Sequence, residues 1–134
     1  MSHGPAPDVQ RLENLDRAVD AVTAGARAWT LGGDENKLSQ CIIAPNQKIR
    51  NDIAARLTAD KLPTLIIEAD NRDKGDSNAI RLATMHRAKG LEFDRVTVVV
   101  SKSVLDGPDA EETERKMLYV ALTRAKREAR IVAY

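Results

Sequence analysis

An α/β fold with a mainly parallel sheet, covered by helices on both faces, follows from three features of the 134-residue sequence. Short β-branched segments alternate with stretches whose apolar residues recur at helical spacing, and strand-helix alternation is the pattern of a parallel sheet. The segments "CIIAP" and "RVTVVVS" are apolar throughout rather than alternating, as strands buried on both faces are. Hydrophobic residues make up 43% and charged residues 31%, which suits a packed α/β fold better than a disordered tail.

From Val9 to about Trp29, Leu12, Leu15, Val19, Val22 and Ala26 fall on one helical stripe, and "LGGDEN" ends it. "CIIAP" is the next strand. Asn46 is placed to cap a helix whose inner face is Ile49, Ile53 and Leu57. "LPTLIIEAD" supplies another strand, and "NRDKGDSN", residues 71–78, reads as a polar loop and the one internal candidate for an insertion point. "AIRLATM" and "RVTVVVS" are two further strands. Asp109 to Glu112 resembles a capping box before a helix carrying Leu118, Ala121, Leu122 and Ala125 on one side, and "ARIVAY" is the last strand. Residues 1–7, with two prolines and a glycine, read as a disordered lead or a cloning remnant, leaving 8–134 as one domain.

Composition narrows the function classes. Twenty-one basic and 20 acidic residues give a net charge of +1, so no global field draws nucleic acid and any anion must be held locally. Four aromatics are too few for a base-stacking platform. Cys41 is the single cysteine and only His3 and His86 are present, so neither a disulfide framework nor a Cys/His zinc cluster can be assembled, and Cys41 reads as a core thiol. No apolar run approaches a membrane span and the N-terminus lacks a signal-peptide plan, so the expected location is cytoplasmic, away from the membrane.

Two charged stretches stand apart. "TMHRAKGLEFDRV", Thr84 to Val96, crowds charge at the mouth of a buried strand. Gly90 lets a backbone N–H approach an anion unobstructed, and Glu92 can accept hydrogen bonds from sugar hydroxyls. Thr84 and His86 are compact polar groups suited to a nucleic-acid phosphate. The second stretch is "ERKMLYVALTRAK", Glu114 to Lys126, in which Arg124 falls where the amphipathic helix runs out, so that its guanidinium can project from the surface. Both stretches are expected at the carboxyl ends of strands, where open α/β sheets bind ligands. Taken singly, each residue has a structural reading too: His86 as a surface histidine, Glu92 and Asp94 as solubilising charges, Arg124 to Arg130 as a solvated turn, and Met117, Leu118 and Leu122 as core.

In order and together, "H-x-A-K-G-L-E-F" and "E-R-x-x-x-Y-V-A-x-T-R-A" resemble motifs V and VI of the UvrD/Rep-like superfamily 1 DNA helicases. The clear part covers Ala79 to Tyr134, and Cys41 to Ile67 is more weakly similar to the strand-helix-strand ahead of that family's inserted domain. The resemblance implies the second, C-terminal RecA-like domain of an ATP-dependent helicase or translocase. It places Glu92 at the ATP ribose, Gly90 near the γ-phosphate, Thr84 and His86 on single-stranded DNA, and Arg124 as the arginine finger, with Tyr119 and Thr123 supporting it. Such a finger stabilises charge on a transferring phosphoryl group.

What is missing bounds the activity. The P-loop pattern G-x-x-x-x-G-K-[ST] does not occur, nor does a strand ending in paired acids or the family's "N-Y-R" element. ATP with Mg2+ would thus be held mostly by an N-terminal RecA-like domain, and the fragment alone is expected to be monomeric and inactive. Residues 71–78 stand where many relatives carry an accessory domain. Arg87, where many relatives have Ser or Ala, adds a cation beside the DNA-facing pair. A stand-alone DNA- or protein-binding module derived from a helicase domain is the alternative expectation, and a helicase-nuclease subunit a third.

Overall fold

The computed structural model describes residues 7–31, 39–67, 79–88, 91–106 and 112–134. Its strands are β1 (Asp8–Arg11), β2 (Gln40–Ala44), β3 (Thr64–Ile66), β4 (Ile80–Thr84), β5 (Phe93–Val100) and β6 (Ala125–Ala133), joined in one sheet of order β1-β6-β5-β2-β4-β3. Every pairing is parallel. The helices among the described residues are α1 (Leu15–Leu31), α2 (Gln47–Ala59), α3 (Met85–Ala88), α4 (Lys102–Asp106) and α5 (Glu112–Leu122).

Alternate residues of the central strands feed two separate cores. On one face Cys41, Ile43, Ala83, Phe93, Val96, Val98 and Ile131 pack under α3, α4 and α5 through Ala88, Val104, Leu105, Leu118 and Ala121. On the other, Ile42, Ile80, Leu82, Val99 and Val132 meet α1 and α2 through Val19, Val22, Ala26, Ile49, Ile53 and Leu57. Helices cover both faces, as an apolar strand requires. Val19, Val22 and Ala26 of the predicted α1 stripe and Ile49, Ile53 and Leu57 of the α2 stripe are buried, Leu15 is half-buried, and Cys41 is a fully buried thiol.

Asn46 caps α2 as its position predicts, its side chain accepting from the Ile49 amide at 2.9 Å. The other end of α2 closes without glycine. The Leu62 amide reaches the Leu57 carbonyl at 3.0 Å and the Lys61 amide reaches Thr58 at 2.9 Å, which forces Lys61 to a φ of 63°. That is a Schellman closure with a lysine in the left-handed position that glycine fills at least cost.

The structure differs from the sequence reading in several places. Val9 to Arg11 do not begin a helix but pair with Ile131 to Ala133 as an edge strand, and α1 starts only at Leu15, capped by the Asn14 side chain 3.0 Å from the Arg17 amide. Leu12 belongs to the strand end, its amide donating to Ala133 at 2.9 Å, so its place on the helical stripe is accidental. Ala125 opens β6 rather than extending α5, and β6 starts four residues before Ala129. Met85 turns into α3 instead of ending β4. Residues 1–6, the 71–78 loop, Gly90 and Asp109 to Glu111 of the proposed capping box lie outside the described residues, as do the side chains of His86 and Met117.

Replacing Lys61 with glycine should therefore stabilise the chain by roughly 0.5–1 kcal/mol, seen as a higher urea midpoint with an unchanged slope. A lower midpoint would show that the left-handed turn is not under strain.

Candidate functional site

The two charged stretches meet at the amino edge of the sheet. Phe93 pairs with Ala125, and the Phe93 amide donates to the Arg124 carbonyl at 2.8 Å, so Glu92 and Arg124 stand side by side just ahead of β5 and β6. This corrects the expectation of carboxyl ends for the second stretch and for the Glu92 end of the first, whereas Thr84 at the end of β4 stands where it was expected. In a parallel sheet all amino ends share one edge, and the chain returns from β4 through α3 before β5 begins.

A register shift then re-aims the side chains. Between the pairs Phe93↔Ala125 and Arg95↔Glu128, β6 advances three residues while β5 advances two. One extra residue on one strand is a β-bulge, which bends the ladder and redirects its substituents. Lys126 Nζ comes to 4.0 Å from Glu92 Oε2, Arg127 Nε to 3.6 Å from Asp94 Oδ1, and Arg95 Nε to 3.2 Å from Glu128 Oε2. Solvent screens these pairs, and each contributes little to stability. Their use is in showing which charge is left over.

Arg124 has no carboxylate partner among the described residues. Its Nε donates to the Val120 carbonyl at 3.3 Å and its Nη2 to Thr123 Oγ1 at 3.1 Å, while the Thr123 hydroxyl donates to the same Val120 carbonyl at 2.7 Å. Val120 is in the last turn of α5, where carbonyls have no partner within the helix. A half-buried guanidinium lies at the helix end with donors unspent. Tyr119, one turn back on α5, is 72% exposed, and its carbonyl accepts from the Thr123 amide.

Thr84 lies at the opposite, carboxyl edge. It ends β4 beside Ala44, is half-buried, and leads into α3, which carries His86 and the exposed Arg87. Glu92 and Arg124 are thus together, Thr84 and Arg87 are together, and α3 is the short bridge between the groups.

Sequence reasoning passed over two supports of the amino edge. Asp94 Oδ2 accepts from the Ser39 amide at 2.9 Å and the Ser39 hydroxyl at 3.2 Å, while Ser39 Oγ accepts from the Asp94 amide at 3.0 Å, tying β5 to the start of β2. Trp29 of α1 lies under two arginines of neighbouring strands, the Arg130 guanidinium 4.1 Å and the Arg95 guanidinium 5.4 Å from its ring centre. A Cβ at Gly25 would overlap the Arg130 guanidinium where it now lies, so a larger residue there requires that flexible side chain to shift. Only the acid two residues after Glu92 hinted at the first support, and nothing local hinted at the second.

Comparison with known proteins identifies the family. Residues 46–134 match the UvrD-like helicase C-terminal domain, and the chain belongs to that family. It is 37% identical over 129 residues to the ATP-dependent DNA helicase UvrD2 of Mycobacterium tuberculosis, an alignment covering 86% of this chain and 18% of that protein. Identity to UvrD1 of the same species is 28% over 130 residues, covering 89% of this chain and 15% of the relative. The chain therefore spans less than a fifth of the length of these relatives. A solved C-terminal domain of a possible DNA helicase from Lactobacillus plantarum superposes with a TM-score of 0.73 at 26% identity, covering 97% of this chain and 74% of that one.

Substituting Asp94→Ala would strand the Ser39 amide at the base of β2. The expected loss is about 1–2 kcal/mol in chemical unfolding. An unchanged unfolding midpoint would remove Asp94 from the supports of the edge.

Proposed function

We propose that this chain serves as the second motor domain of an ATP-dependent DNA helicase or translocase. In this reading its amino edge faces a nucleotide held mainly by an N-terminal RecA-like domain, and its carboxyl edge faces single-stranded DNA. One observation carries the nucleotide side: at a seam where Lys126, Arg127 and Glu128 each have an opposite charge within 4.0 Å, Arg124 has none among the described residues. A cation held by neutral acceptors beside an exposed carboxylate suits a ligand with negative phosphates and hydroxyl donors.

The roles divide by chemistry. Arg124 is the arginine finger, a permanently charged planar fork that stabilises charge on a phosphoryl group. Glu92, 63% exposed at its side chain, accepts from the ribose hydroxyls once its weak pairing with Lys126 is exchanged for them. Gly90 is assigned to the γ-phosphate from the motif resemblance alone. Magnesium, when bound with ATP, neutralises phosphate charge; no residue of this chain is assigned to it. Thr84, His86 and Arg87 hold the DNA backbone without reading sequence. Since α3 connects the two edges and packs through Ala88 into the core under α5, a shift at either edge has a short path to the other.

The test of Arg124 uses a polypeptide that unites this chain with a nucleotide-binding motor domain. Arg124→Ala is expected to lower DNA-stimulated ATP hydrolysis by on the order of a thousandfold with little change in ATP binding. Arg124→Lys should recover little, because an ammonium cannot reproduce the fork. Wild-type turnover in either variant excludes the finger. On the DNA side, Arg87→Ala should flatten the slope of log affinity against log salt for single-stranded DNA by about 0.7, the effect of one lost phosphate contact. A slope equal to the wild type takes Arg87 out of the DNA path.

A further inference from the structure

A guanidinium has two edges that can grip a pair of oxygens: the side edge, made by Nε–H and one Nη2–H, and the end edge, made by Nη1 and the second Nη2–H. In Arg124 the side edge is spent on protein, with Nε on the Val120 carbonyl at 3.3 Å and Nη2 on Thr123 Oγ1 at 3.1 Å. The Thr123 hydroxyl closes the triangle by donating to Val120 at 2.7 Å, so it uses its one proton on the helix end and a lone pair on the arginine. The geometry points to Thr123 as a positioning residue that locks the side edge of Arg124 to the end of α5 and thereby turns the end edge outward as a two-pronged anion clamp.

The arrangement is specific in three ways. Thr123 is exposed and contributes nothing to either core, so its hydroxyl is free for this task. The carbonyl it uses is otherwise unspent, because the Thr123 amide takes Tyr119 and the Arg124 amide takes Ala121, leaving Val120 between them for side chains. A cation at a helix carboxyl end is also favoured by the helix dipole, which helps hold the guanidinium there before any ligand arrives. Thr123 does not touch the ligand. It acts by removing rotamer freedom from a long side chain, whose ordering otherwise opposes binding.

This inference rests on the reading of the amino edge as a phosphate contact, and the experiment separates the two. In the 134-residue chain itself, hydrogen exchange of the Arg124 Nε–H is followed by NMR, and inorganic triphosphate is titrated while the same resonance is observed. Thr123→Val keeps the shape and removes the hydroxyl; Thr123→Ser keeps the hydroxyl. Thr123→Val is expected to lose protection of the Nε–H and to bind triphosphate roughly threefold to tenfold more weakly, while Thr123→Ser stays within about twofold of wild type. Unchanged backbone spectra in both variants confirm that the fold is intact. Wild-type protection and affinity in Thr123→Val would overturn the role of Thr123. Loss of protection in that variant, with no response of Arg124 to triphosphate in the wild-type chain, would instead overturn the phosphate reading of the edge and the clamp with it.

Discussion

The Phe93 amide, bonded to the Arg124 carbonyl at 2.8 Å, is the first rung of a parallel pairing that runs on to Val100 and Ala133. Most of the molecule depends on this pairing. It joins the two charged stretches at one edge, supplies β6 as the partner for β1, and presents Val96, Val98 and Ile131 to one core and Val99 and Val132 to the other. Parallel strands so buried must satisfy every amide within the sheet, so the register is fixed by hydrogen bonding and by burial together. The bulge at the start of the pairing is the one place where the ladder yields, and the charged side chains are there.

The polar groups at that edge form a graded series. Asp94 is consumed by Ser39 and Arg127, Glu92 is loosely matched by Lys126, and Arg124 is held by uncharged oxygens. Proximity to the sheet interior decides the order: the acid one residue inside β5 serves structure, and the groups just outside the strands remain available to a ligand. A buried, fully paired arginine would be costly to move. An arginine held by two neutral hydrogen bonds keeps both position and unspent donors.

Much of the candidate site was legible in the sequence. Glu92, Arg124, Thr84 and Arg87 stand in long ordered motifs, and the apolar run after Asp94 marked a buried strand. Their arrangement was not legible. Local composition places a charge near a strand end but does not say which end, and the return of the chain through α3 put Glu92 and Arg124 at the amino edge, opposite Thr84. The β6 bulge escaped notice because "AKREAR" has no glycine or proline to mark it. Ser39 and Trp29 were invisible for a related reason, since their partners lie 55 and more than 60 residues away in the chain.

By itself the sequence determined the fold class, the helical stripe from Val19 to Ala26, the Asn46 cap and the chemical character of both charged stretches, because each is a matter of local periodicity or of a side chain bonding within a few residues. Only the tertiary structure decided that Val9 to Arg11 are a strand, that Lys61 takes a left-handed turn, and that Arg124 is held by neutral oxygens with no carboxylate partner among the described residues. The physical reason is the same throughout. A four-residue edge strand has too little pattern to declare itself and exists only because β6 offers it a hydrogen-bonding partner, and a charge is paired or unpaired according to what the sheet register brings across from the next strand.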